Sequence, residues 1–341
     1  MSKFFNVRNS LRNLTDEEFE QILPLLAEEL SRIPVELHYT PQELYKDWQN
    51  LLQVNTTDRF IAPQRRQGLK LCEHFMPNFW DIQSKNGMSF RSLWTNPQNL
   101  PKLLRLNRTM HSTPYLSELR RMVYFSYGLA KATMFRPILA KNIISYYKAK
   151  TVLDPCAGWG GRMLGAAAAG AYYTAFEPNK ETYNNLLQIA KFVNIEDRVF
   201  LFNLPAQEMV GMKLPFNTYD LVLTSPPYFS LEVYSNETTQ SYAPNMSYST
   251  WVDNFLNPVI FECVKRLDRD HGTSCWNVAN VGKYKLIDNV MSIHNDIDYI
   301  KDAEFGITSS RRPTGSIGKS MDTTISYKHK NHITETETWF I

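Results

Sequence analysis

Two rhythms of apolar and polar positions divide the chain. In the first third the spacing is helical. Leu14-Thr15-Asp16-Glu17-Glu18 offers a capping box between Thr15 and Glu18 and a staple at Leu14, and Phe19, Ile22, Leu23, Leu26 and Leu30 then recur on one face. Thr40-Pro41 opens a second helix carrying Leu44, Trp48, Leu51 and Leu52 on one side. Between 55 and 115, Pro63, Pro77, Pro97, Pro101 and Pro114 keep any helix short. Leu119, Val123, Leu129 and Ala130 predict a further helix, and Ile138, Leu139, Ile143 and Ile144 another that runs up to Lys150.

From Thr151 the rhythm changes. Thr151–Asp154, Ala171–Phe176, Val199–Phe202, Leu221–Leu223 and Thr273–Val278 are short apolar runs that read as strands. Helical stretches separate several of them: Met163–Ala169, Glu181–Val193, and Thr250–Leu267 with Trp251, Phe255, Val259 and Val264 inward. This alternation predicts an α/β chain with a doubly wound parallel sheet, preceded by a mostly helical N-terminal region. Residues 1–115 are read as that helical region, a candidate for target recognition, and 116–341 as the sheet domain.

Two strand ends carry candidate chemistry. The first strand leads into Asp154-Pro155-Cys156-Ala157-Gly158-Trp159-Gly160-Gly161, a loop whose glycines let the backbone approach a ligand before an Ala-rich helix begins. It is not GxGxxG and lacks the GK[ST] of a phosphate-binding loop, so a nucleoside phosphate is not specifically implied. Glu177, an acid at the tip of the second strand, is suited to the two hydroxyls of a ribose. The fourth strand stops at Ser225-Pro226-Pro227-Tyr228. Neither proline can donate to a ladder, so the chain leaves the sheet in a rigid extended turn bearing a hydroxyl and an aromatic ring.

Composition changes this picture in two places. The 341 residues are 43% hydrophobic and 21% charged, which is the balance of a globular chain and leaves no apolar run long enough for a membrane helix. The N-terminus lacks a signal-peptide pattern, and Cys72, Cys156, Cys263 and Cys275 show neither CxxC nor His-paired spacing. These features predict a cytoplasmic protein (bacterial or in a virus-infected host), no disulfide framework and no metal site. The net charge of +3 hides a block, residues 85–150, with twelve Lys/Arg against the single acid Glu118. Phe90, Trp94, Tyr115, Tyr124, Phe125 and Tyr127 are interleaved with it, which fits a phosphate-backbone footprint; the alternative is a helical surface facing acidic neighbours. The basic stretch Ser309–Lys319 fits either a nucleic-acid contact or a solvated loop.

Taken together, Asp154–Gly161, Glu177 and Ser225–Tyr228 resemble the motif set of S-adenosylmethionine-dependent amino-methyltransferases, specifically the DNA enzymes that modify N6 of adenine or N4 of cytosine. The resemblance covers roughly residues 117–330. Asp154-Pro155-Cys156-Ala157-Gly158-Trp159-Gly160 is similar to that family's D-P-F-x-G-x-G loop, and Phe135-Arg136-Pro137 to the F-x-P element preceding it. Ser225-Pro226-Pro227-Tyr228 is similar to its [DNS]-P-P-[YFW] motif.

The resemblance implies a Rossmann-like methyltransferase sheet and S-adenosylmethionine as cofactor. Its contacts would come from Phe135, Pro137, Asp154, Pro155, Ala157, Gly158, Gly160, Glu177, Ala206 and Ser225. Ser225, Pro226, Pro227 and Tyr228 would be catalytic, on double-stranded DNA with the base flipped out. Ser225 in the first motif position favours N4-cytosine over N6-adenine. The family often has an acid after the third strand to meet the adenine; here Pro205 stands near that position, leaving backbone around Ala206 or the Gln207 side chain to substitute. Cys156 is not in a P-C nucleophile motif and reads as a packing residue, while Phe229, Tyr234 and Tyr242 fit either a base pocket or ordinary packing. The competing readings are a methyltransferase of guanine N2 in RNA or of a protein glutamine, and a non-catalytic nucleic-acid-binding protein that keeps the fold.

Overall fold

The computed structural model describes residues 3–84, 87–129, 132–235, 237–243, 245–280, 282–308 and 323–332. Ala130 and the basic stretch Ser309–Lys319 therefore lie outside the described residues. The chain divides into two compact units, each discontinuous in sequence: residues 1–37, 77–133 and 230–235 form one, and 38–76, 134–229 and 236–341 the other.

The first unit is helical. Its helices Asp16–Ser31, Phe90–Trp94, Leu100–Thr109 and Leu116–Tyr127 close around Phe19, Leu23, Leu30, Trp94, Leu103 and Met122. Thr15 and Glu18 form the capping box expected of them, and Trp94 donates its indole N–H to Ile33 at 2.8 Å. Gly128, with φ +63°, ends the last helix in a left-handed turn, so Leu129 falls beyond it. The stretch Ser230–Ser235 joins this unit through reciprocal backbone bonds between Val233 and Gln83, at 2.9 and 3.0 Å.

The basic block is mostly engaged internally. In the helical unit Arg91 pairs with Glu36 and Asp81, Arg105 with Glu20, Arg108 with Asp16, and Arg121 with Glu118. Arg120 donates to Pro34 and Lys102 to Ser126. In the second unit Arg136 donates to the carbonyls of Pro63 and Arg65, and Lys141 to those of Leu51, Leu52 and Val54 at the end of the helix Pro41–Gln53. Four of these eight cations meet acids of their own unit, as the alternative of a surface facing acidic neighbours expects, and the other four meet backbone carbonyls.

The second unit is a sheet with strands β1 (Phe60–Ile61), β2 (Thr151–Asp154), β3 (Tyr172–Phe176), β4 (Val199–Phe202), β5 (Leu221–Thr224), β6 (Thr273–Val278), β7 (Tyr299–Ile307) and β8 (Thr323–His329). Their order is β1-β7-β8-β6-β5-β2-β3-β4, and every neighbour pair is parallel except those of β8, which runs antiparallel to both β6 and β7. From β4 through β2 to β7 this is the order of the Rossmann-like methyltransferase sheet, with its one reversed strand inserted before the last parallel one. Residues 60–61 add an eighth strand at the edge.

The five strands read from the sequence form within a residue of their expected ends, and β1, β7 and β8 are additional. The helix expected at Thr250–Leu267 is interrupted. It runs as Tyr248–Trp251, a π turn at Val252–Leu256, and Asn257–Lys265. Pro258 explains the break: it has no N–H for the i−4 carbonyl and its ring crowds that turn, so the ladder widens there. No helix among the described residues is long and apolar enough to cross a membrane.

Candidate active site

The strand order reverses between β2 and β5, which lie side by side with Val152 opposite Leu221 and Leu153 opposite Val222. Ligands of open α/β sheets bind beyond the carboxyl ends of strands at such a switch point. The loop after β2 and the turn after β5 are the two segments singled out in the sequence, and the sheet brings them together.

The loop is held from below and from the side. Ala157 donates its N–H to Phe176 at 2.8 Å and Gly158 to the Glu177 carboxylate at 3.0 Å, so the tip of β3 sets the loop's height. Gly160, at φ +83°, caps the helix Gly161–Ala168 in a conformation that disfavours any side chain. A Cβ on Gly161 would lie 1.8 Å from the Phe135 carbonyl oxygen, so the Phe135-Arg136-Pro137 element presses its backbone directly onto the start of that helix. Pro137 is the first residue of the helix Pro137–Tyr146. The Phe135 ring lies under the Arg162 guanidinium at 5.3 Å.

Asp154 sits beneath this loop and is wholly buried. Its Oδ1 accepts from the Cys156 N–H at 3.1 Å and the Thr224 hydroxyl at 2.7 Å. Its Oδ2 accepts from Arg162 Nε and the Tyr173 hydroxyl, both at 2.6 Å. Arg162, itself 4% exposed, also donates to the carbonyls of Cys156 and Ala157. With four donors in place, Asp154 acts as the post on which the loop is built, and Pro155 is buried with it. Arg162, Tyr173 and Thr224 were not singled out in the sequence. The signal available was their polarity within otherwise apolar elements. Burial pushes the Cys156 thiol well above its ordinary range, so it is protonated at neutral pH.

Glu177 has a different environment. Its carboxyl is buried at the tip of β3, with Oε2 taking the Gly158 N–H and Oε1 the Asn179 N–H, each at 3.0 Å. Burial pushes it up to about 7, while the two backbone donors pull the other way. Asn203, first residue after β4, donates to the carbonyls of Glu177 and Pro178 at 2.9 and 3.1 Å and so ties the two strand tips together. Ala206 begins a 3-10 turn with its side chain in the core, which leaves its backbone as the group able to meet a ligand. The neighbouring Gln207 has its Oε1 buried without a hydrogen-bond partner among the described residues.

The turn after β5 starts from Thr224. Ser225 is half-buried and its Oγ lies 3.5 Å from the Asn277 amide nitrogen, Asn277 being the penultimate residue of β6. Pro226 is buried, and Pro227 and Tyr228 are half-buried. Phe229 follows at φ +52°, a left-handed geometry that costs a non-glycine residue about 1–2 kcal/mol. It is held there by the rings of Tyr242, Tyr248, Trp251 and Tyr284, at 5.1, 5.5, 5.9 and 5.2 Å. Phe229 and Trp251 are buried, whereas Tyr242, Tyr248 and Tyr284 are half-exposed. Tyr234 belongs to the helical unit, where its hydroxyl donates to Glu232.

No family model and no curated protein matches the chain. Similar solved structures include a precorrin-6Y C5,15-methyltransferase from Geobacter metallireducens, at 13% identity and TM-score 0.39 over 59% of this chain and 92% of that one. A SAM-dependent O-methyltransferase from Thermotoga maritima shows 11% identity and TM-score 0.40 over 59% of this chain and 68% of its own. The ribosomal protein L11 methylase of Lactobacillus delbrueckii subsp. bulgaricus shows 14% and 0.40 over 60% and 82%. Likeness at this level says nothing of substrate, and the fold assignment rests on the strand order above.

Proposed function

We propose that this chain transfers a methyl group from S-adenosylmethionine to an exocyclic amino group of a flipped DNA base, N4 of cytosine ahead of N6 of adenine. The observation that carries the reading is the meeting of the Asp154–Gly161 loop and the Ser225–Tyr228 turn at one switch point of the sheet. The residues present fit the cofactor. Each Glu177 oxygen accepts one backbone N–H, which leaves lone pairs for two ribose hydroxyls. Gln207 Oε1, without a partner among the described residues, suits the adenine amine in place of the missing acid. Phe135, Pro137, Ala157, Gly158 and Gly160, with the backbone of Ala206, would line the methionine and adenosine portions, over Asp154 and Pro155.

S-adenosylmethionine supplies, when bound, an electrophilic methyl on a sulfonium. The chain's own residues prepare the nucleophile. An exocyclic amine is weakly nucleophilic because its lone pair is delocalised into the ring. Ser225 Oγ and the Pro226 carbonyl would each accept one of its N–H groups, turning the lone pair out of the ring plane. Pro226 and Pro227 hold these acceptors without reorganisation. Tyr228 would stack on the base, with the half-exposed Tyr242, Tyr248 and Tyr284 as a further aromatic wall. As the N–C bond forms, the S–C bond would break and leave S-adenosylhomocysteine; the positively charged nitrogen so formed is strongly acidic and would release its proton to water, so no side-chain base is required. We assign target reading to the helical unit, which holds Ser230–Ser235, the stretch directly following Phe229.

A second reading takes guanine N2 of RNA or a protein glutamine as the target, and one observation favours its protein member: four of the twelve cations in the basic block, Arg91, Arg105, Arg108 and Arg121, are ion-paired within their own unit. Labelled S-adenosylmethionine offered with mixed-sequence DNA, followed by nucleoside mass spectrometry, tests the proposal. N4-methylcytosine or N6-methyladenine is the expected product. Label found only in RNA or protein moves the assignment to the second reading. DNA binding without S-adenosylmethionine binding in calorimetry makes the chain a non-catalytic module.

A further inference from the structure

We propose that Thr224 is a positioning residue that locks the amine-holding turn Ser225–Tyr228 to the cofactor loop Cys156–Gly161 through the buried carboxylate of Asp154. The inference rests on the reading above. Thr224 closes β5 and is fully buried, and its hydroxyl donates to Asp154 Oδ1 at 2.7 Å. The same oxygen takes the Cys156 N–H at 3.1 Å, so one carboxylate atom bonds the last residue before the turn and the first residue of the loop. The other oxygen is filled by Arg162 and by Tyr173 of β3.

Packing alone does not call for this hydroxyl. A valine has the same shape and would suit an apolar strand end better, since a buried hydroxyl must be matched by an acceptor. The hydroxyl instead spans the switch point, where a strand-to-strand bond fixes the relative height of the two segments that must meet across a methyl group. The next three residues transmit that height rigidly: Ser225 is adjacent, and Pro226 and Pro227 have fixed φ. A donor on β3, Tyr173, reaches the same carboxylate without leading into the turn. It therefore offers a control with an equal chemical loss.

Hydrogen exchange on the full chain, with and without S-adenosylhomocysteine, tests the link without any need for the methyl acceptor. In the wild type the ligand is expected to slow exchange both in Cys156–Gly161 and at the Ser225, Tyr228 and Phe229 amides. Thr224→Val should keep the loop's protection and lose the turn's, Thr224→Ser should keep both, and Tyr173→Phe should keep both. Turnover on mixed-sequence DNA should fall at least tenfold in Thr224→Val, with the dissociation constant for S-adenosylhomocysteine within threefold of wild type. If Thr224→Val does not fold, Thr224→Cys carries the test, with a partial loss of protection at the turn. Undiminished turn protection in Thr224→Val, or in Thr224→Cys where that variant replaces it, overturns the proposal, as does a wild-type turn that ignores the ligand while the loop responds. A wild type that binds no S-adenosylhomocysteine brings down the functional reading itself, and this inference with it.

Discussion

Glu177, at the tip of β3, accepts the backbone N–H of Gly158 at 3.0 Å, so the acid that would hold a ribose is part of the scaffold of the neighbouring loop. Burial raises its carboxyl from the ordinary value to about 7. The sign follows: a raised folded value makes this group's contribution to stability greatest below the unfolded value, near 4.5, and lost as pH climbs to 7. Ribose hydroxyls donate to the ionised form, so ligand binding has the opposite slope. S-adenosylhomocysteine affinity is expected to weaken towards tenfold per unit as pH falls below about 7. Glu177→Gln should flatten the profile at a low affinity. Calorimetry from pH 5.5 to 8.5 checks both, and a wild-type profile already flat would remove Glu177 from the site.

The pair beneath the loop makes a separate prediction about stability. Arg162 and Asp154 are bonded at 2.6 Å with 4% and 0% of their side chains exposed. Arg162→Met leaves the carboxylate buried without its cation, which costs roughly 3–5 kcal/mol. Removing the charge as well, in Arg162→Met/Asp154→Asn, should recover a substantial part of that loss. Urea unfolding of the two variants measures it. A loss below about 1 kcal/mol in the single variant would show that the pair is not the loop's post.

What the sequence made legible and what it hid follow from range. The loop and turn were readable because a strand end, a run of glycines and a pair of prolines each act within a few residues. β8 was not, because Thr324 and Ser326 are buried polar groups in its centre, and the Ser326 hydroxyl is satisfied by Tyr147 and Ala303, far away in the chain. β7 was not, because a register shift between Lys301 and Glu304 breaks the alternation that marks a half-buried strand. The partners of the basic block were hidden for the same reason: Arg105 and Arg108 find their acids 85 and 92 residues away, and a local charge count cannot see them. Asp154 stands out in the sequence as an acid at a strand end, and it closes β2. Its four donors come from three other elements and from its own loop, so its scaffold role could be seen only in three dimensions.

Gly161 should tolerate no side chain. The Phe135 carbonyl oxygen would sit 1.8 Å from its Cβ, and both partners are backbone, so neither can swing aside. Gly161→Ala is expected to separate the Phe135–Pro137 element from the loop helix, with a stability loss of about 1–3 kcal/mol and loss of S-adenosylhomocysteine binding. Gly128→Ala is the matched control. Its φ is +63° with nothing within 4 Å of the new Cβ, so it should cost about 1–2 kcal/mol and leave ligand affinity unchanged. Equal affinities in the two variants would mean that Phe135 does not shape the cofactor loop.

The last prediction separates the two tasks assigned to the turn. Ser225 Oγ is proposed to hold an N–H in the transition state, so Ser225→Ala should lower kcat on the order of a hundredfold with little change in KM. Tyr228 is proposed to hold the flipped base by its ring, and stacking on an aromatic residue is worth about 1–3 kcal/mol per base. Tyr228→Ala should therefore raise KM for the nucleic acid roughly 5- to 150-fold, while Tyr228→Phe, which keeps the ring, stays close to wild type. All three variants keep the Ser225 backbone and the Glu177 carboxylate, whose bonds are to Gly158 and Asn179, so cofactor affinity should survive in them. Steady-state kinetics with the nucleic acid varied at saturating S-adenosylmethionine reads both quantities. If Tyr228→Phe fails as badly as Tyr228→Ala, the hydroxyl rather than the ring face is the working group, and a planar base is no longer the substrate that the turn favours.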